Sequence, residues 1–190
     1  MPLPASSVER TLKHTRTIVV EGYERADGLF EVDGWMTDTK TYAFPNRDRG
    51  TINPGEPLHG MGVRVTVDEN MEIKDAVAVT DFSPFRICPE ITPNFKRLIG
   101  LKIKAGFNNA VKEKLGGVEG CTHLVELMGP IATTTFQTMV AKRFERANAE
   151  IMKTDSARKP PLLNSCHAWS SDGPVIERQH PDFYTGPKKA

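Results

Sequence analysis

The chain has 190 residues, a net charge of +1, 38% hydrophobic and 26% charged residues. That composition supports a globular protein with a buried core, and the near-neutral charge gives no electrostatic drive toward nucleic acid or an anionic membrane. No apolar run is long enough to span a bilayer, and three cysteines, odd in number, argue against a disulfide scaffold and for a reducing, cytoplasmic setting.

Residues 1–13 read as a polar lead-in. Arg16 to Tyr23 reads as a strand through its β-branched run Thr17-Ile18-Val19-Val20, and Ala26-Asp27-Gly28 supplies a hairpin turn. The second strand, about Leu29 to Thr41, carries Phe30, Val32, Gly34, Met36, Asp38 and Lys40 on one side by its period of two. Asp38 and Lys40 are therefore expected where this core face reaches its rim, most simply as an ion pair. Ala43 to Leu58 reads as a long polar loop that delivers His59 to the next strand. Val63 to Val67 and Ile73 to Thr80 form a second hairpin. Residues 14–82 thus predict an antiparallel sheet of about four strands.

Beyond a connector around Cys88, short helices are predicted from Pro93 to Gly100 and from Asn108 to Leu115. Gly116, Gly117 and Gly120 then form a turn. Thr122 is expected to cap a helix with apolar residues at 124, 128, 131, 132, 136, 139 and 140, broken or restarted at Pro130, with a charged outer face to about Lys153. Leu162 to Trp169, with Cys166-His167, reads as a strand that pairs with Val175-Ile176 in a small hairpin, followed by a polar tail from 180 to 190. The fold expected is α+β: an N-terminal antiparallel sheet packed by C-terminal helices (90–153) with a small terminal hairpin (162–178), all in a single domain over 1–190.

Three chemistries fit the polar residues. His59, Cys88, Cys121 and His123 are borderline-soft ligands suited to zinc or iron, which could acidify water or polarise a carbonyl. Alternatively Cys121, at a helix start that favours a thiolate, is a nucleophile with His123 or His59 as base. A metal-free pair such as His59 with Asp38 could instead transfer protons. Arg16, Lys40 and Gln137 are the expected contacts to a carboxylate or carbonyl substrate.

The motifs Gly22-Tyr23-Glu24-Arg25-Ala26-Asp27-Gly28, Thr37-Asp38-Thr39-Lys40-Thr41-Tyr42, Gly55-Glu56-Pro57-Leu58-His59, Cys88-Pro89 and Gly120-Cys121-Thr122-His123-Leu124 resemble a bacterial family known as a domain of unknown function. The resemblance covers nearly the whole chain and implies a bacterial cytoplasmic protein. The family pattern often has an acidic residue where Gly60 stands here. A weaker likeness in layout is to the scaffold proteins of iron–sulfur assembly, in which Cys88, Cys121, Cys166 and His167 would play the ligand parts. The expected function is a small enzyme acting on a small organic molecule, metal-assisted or not. The competing class is a non-catalytic metal, iron–sulfur or sulfur carrier, or a ligand-binding module.

Overall fold

The computed structural model describes residues 3–143, 145, 159–160 and 162–187. The chain divides into two compact units, Met1–Val140 and Ala141–Ala190. The first is α+β. Its strands β1 (His14–Glu24), β2 (Phe30–Lys40), β5 (Pro57–Val67) and β6 (Ile73–Phe82) form one antiparallel sheet in the order β1-β2-β5-β6. Gly28, at φ 84°, lets the Asp27-Gly28 turn join β1 to β2.

Alternation along β2 is strict. Phe30, Val32, Met36 and Asp38 are buried, and they pair directly across to Val67, Val65, Met61 and His59 of β5. The same period that fills the core with apolar residues therefore carries a carboxylate and an imidazole into its end. The 43–58 segment is more ordered than a loop. It holds a two-stranded hairpin, β3 (Phe44–Asn46) with β4 (Gly50–Ile52), whose turn is tied by the Asn46 Oδ1 accepting from the N–H groups of Asp48 and Arg49 at 3.0 Å each.

Helices cover one face of the sheet. Instead of an α-helix from Pro93 to Gly100, the segment Cys88–Leu98 winds as 3-10 turns, because Pro89 and Pro93 lack the N–H that an α-helical ladder needs. It buries Phe95 and Leu98. Helix α1 (Phe107–Leu115) buries Phe107, Val111 and Leu115 at helical spacing. Two helices follow the glycine turn, α2 (Thr122–Glu126) and α3 (Met128–Thr138), with Pro130 inside the first turn of the second. Cys121, not Thr122, occupies the N-cap position of α2, and no side chain caps that helix. The expected continuation toward Lys153 falls largely outside the described residues.

Helix α3 lies close on the sheet because two glycines face it. A Cβ at Gly34 would stand 2.7 Å from Cδ1 of Ile131, and one at Gly22 would stand 2.9 Å from Cβ of Thr138.

In the second unit the terminal hairpin is replaced by helical turns, His167–Trp169 and Pro174–Gln179. Asn164, at φ 61°, folds the chain back so that its N–H donates to the Trp169 carbonyl (2.8 Å) and its side chain accepts from the Ser171 N–H (2.8 Å). Gly173 and Pro174 then start a helix rather than a return strand. No helix among the described residues is long and apolar enough to cross a membrane.

Candidate functional site

The site is one row of the sheet. Arg16, Asp38 and His59 are direct register partners across β1, β2 and β5, so their side chains leave the same face side by side. His14, which faces Lys40 in the next row, reaches the same carboxylate. Asp38 is 1% exposed. Its Oδ1 accepts from Arg16 Nε at 2.8 Å and His14 Nε2 at 3.1 Å, and its Oδ2 accepts from Arg16 Nη2 at 2.8 Å and His59 Nδ1 at 2.8 Å. Four donors fill the roughly four lone-pair directions of a carboxylate. Burial alone would push the Asp38 carboxyl up, but the hydrogen bonds and charges of Arg16 and His59 outweigh it and hold it at about 2.

An ionised carboxylate can only accept, so the proton at the 2.8 Å contact sits on His59 Nδ1. Burial, and the neighbouring His123, push the His59 pKa below its ordinary value despite the Asp38 charge. Near pH 7 the ring is neutral, with the lone pair on Nε2. His123 comes from α2 and lies against the His59 ring, centroids 4.0 Å apart and planes tilted by 34°. Burial first, then the Arg16 charge, push its pKa down as well. Glu126, three residues on and on the same helix face, accepts from Arg16 Nη1 at 2.5 Å and closes the group.

Several sequence expectations meet here and several do not. His59 and His123 come together. Asp38 pairs with Arg16 and both histidines of the sheet, not with Lys40, because cross-strand register puts Arg16 directly opposite it. Arg16 is a clamp rather than an open anion contact, since Asp38 and Glu126 take its guanidinium. Lys40 stands at the rim with its Nζ over the rings of Tyr42 (5.6 Å) and Phe44 (5.9 Å). Gln137 is exposed on α3. Cys121 is half-buried against the core and Cys88 begins the 3-10 segment, also half-buried. Cys166 is exposed and belongs to the second unit.

Among the described residues the group able to hold a metal ion is Asp38, His59 and His123, whose donor atoms lie within 4.8 Å of one another. No cysteine is a member of it; the group joins two of the expected residues, His59 and His123, to the Asp38 carboxylate. Of the wider site, sequence reading missed His14, which falls at the edge of what reads as a lead-in, and Glu126, which pairs with Arg16 across the fold.

Residues 14–137 match the model of a family described as a protein of unknown function (DUF2889). The chain belongs to this family. The matched span holds every residue of the site, from His14 to Glu126. No curated protein and no solved structure matches the chain.

Proposed function

We propose that the chain is an enzyme, in a bacterial cytoplasm, that transfers protons on a small organic molecule, with His59 as the general base. The observation that carries this reading is the 2.8 Å bond from His59 Nδ1 to the buried Asp38 carboxylate. It fixes the tautomer and leaves Nε2 to take a proton. The proton leaves a substrate C–H or O–H for Nε2, and its electron pair stays on the substrate. The imidazolium so formed is stabilised by Asp38, which stays ionised because Arg16 holds it so. His123, neutral beside it, donates a hydrogen bond to the oxygen on which charge develops. The proton then returns from Nε2 to the same or a neighbouring atom, which makes the reaction an exchange or an isomerisation.

The test is proton exchange from a panel of small carbonyl and carboxylate compounds in D2O, followed by NMR. Exchange should fall by about 10²–10⁴ in His59→Asn, the range for a positioned general base. Exchange that survives this change, or a panel with no exchange at all, overturns the reading.

The 4.8 Å grouping favours one second reading, a zinc or iron ion held by His59 and His123. Asp38 would then orient His59 from behind rather than ligate, since its oxygens already take four donors and Arg16 lies against both. Elemental analysis of protein purified without chelator or nickel affinity decides it. Near-stoichiometric metal, lost in His123→Asn, supports the metal centre, and metal-free protein counts against it.

A further inference from the structure

We propose that the substrate is a small aromatic carboxylate, with Lys40 holding the carboxylate and the rings of Tyr42 and Phe44 flanking its ring. This rests on the reading of His59 as the reacting base. Lys40 faces His14 across the β1–β2 pair, so it shares the face that carries Arg16, Asp38 and His59. The two arginines nearby are taken. Arg16 is spent on Asp38 and Glu126, and Arg49 on Glu56 at 2.6 Å and the Pro57 carbonyl at 2.8 Å. Lys40 makes no ion pair among the described residues, although it is half-buried.

Its surroundings are aromatic. Tyr42 and Phe44 lie 6.1 Å apart between centroids, tilted by 56°, with the Lys40 ammonium within 6 Å of both. A second ammonium, Lys13, lies 5.8 Å from the Tyr42 ring. The backbone here is tied down. Thr41 N–H donates to the Lys13 carbonyl at 3.4 Å, the Thr41 hydroxyl to the Leu12 carbonyl at 2.7 Å, and the Gly55 N–H to the Lys40 carbonyl at 2.9 Å. Two cations with no ion pair among the described residues, set beside two rings, suit an anion with a flat apolar body.

Lys40 stands two residues beyond Asp38, the register partner of His59, and past the register shift between Asp38 and Thr39. A ligand that meets both Lys40 and His59 must reach across that step, and a carboxylate on a flat ring can do so with its ring against Tyr42 and Phe44.

The experiment titrates the full chain with benzoate, 4-hydroxybenzoate and cinnamate, and with benzamide and acetate as controls, by two-dimensional NMR. The acids should move resonances of Lys40, Tyr42 and His59 and bind at least tenfold more tightly than benzamide or acetate. Lys40→Met should weaken the acids at least tenfold without changing benzamide, and Lys40→Arg should keep them. Acids that bind no better than benzamide, acids that do not bind, or unchanged binding in Lys40→Met overturn the proposal. Lys40→Met leaves the His59–Asp38 bond in place, so loss of acid binding there is separable from failure of His59 as base, which the His59→Asn exchange assay reads.

Discussion

At the scale of residues the site is held by one buried charge. Asp38 collects four donors, and Asp38→Asn replaces an acceptor oxygen with an NH2 group that faces donors from Arg16 and one of the two histidines. Breaking one partner of a buried ion pair costs about 3–5 kcal/mol. Urea unfolding of Asp38→Asn should show a loss of that size, and a loss under about 1 kcal/mol would mean that Asp38 does not organise the group. Titration separates its members. His59 and His123 have folded pKa values below 6.5 because they are buried. The unfolded chain then takes protons that the folded chain refuses, so stability falls as the pH drops below about 6.5 and levels off once both are protonated in the folded state. Asp38 adds a separate contribution, intact above 3.8 and lost as the pH falls through about 2. Melting temperatures from pH 8 to pH 3 should show the first decline, and His123→Asn should make it shallower. An unchanged slope in that variant would put His123 outside the buried pair. The centre was partly legible in the chain. A hairpin folded at Asp27 sets Arg16 opposite Asp38, as far before the turn as the other lies after it. The second pairing was legible as a candidate, His59 with Asp38, but not its register, because the hairpin within 43–58 decides which β5 residue meets Asp38.

At the scale of elements the fold was legible wherever a residue pattern has one structural meaning. The alternation of β2, the Asp27-Gly28 turn and the helical spacing of Phe107, Val111 and Leu115 each point one way. Failures came where backbone chemistry overrides pattern. Prolines turned the Cys88 segment into 3-10 turns, and the left-handed Asn164 bent an apparent strand back on itself. Cys88 and Cys121 lie outside the group of Asp38, His59 and His123, because cysteine packs as readily as a small apolar residue as it ligates. The seat of α3 was invisible in sequence, since Gly22 and Gly34 read as weak points of strands. They are the reverse in the structure, where helix α3 occupies the volume their side chains would need. Gly22→Ala drives a methyl against Thr138, whose hydroxyl also donates to the Thr134 carbonyl at 2.8 Å. Overpacking of this kind costs about 1–3 kcal/mol. Chemical denaturation should show that loss, and a neutral result would mean that α3 can lift from the sheet.

At the scale of the molecule, the contiguous hydrophobic core runs from Phe30 to Met139 and lies wholly in the first compact unit. The family match ends at residue 137, almost at the same place. Every group at the site, His14, Arg16, Asp38, His59, His123 and Glu126, belongs to that unit as well. Among the described residues of the second unit, Ile176 is the buried hydrophobic side chain of the core kind. A domain needs its own core to fold, and a chain of about 100–150 residues is long enough to hold one. A chain cut after Arg143 should therefore unfold in a single cooperative transition. Its His59 ring should still carry the proton on Nδ1, as read from imidazole nitrogen shifts. If the shortened chain were instead expanded and non-cooperative, the stability of the sheet and helices would depend on residues beyond 143. If it folded but the Nδ1 proton were lost, the register of Asp38 with His59 would be set from outside the unit that contains both.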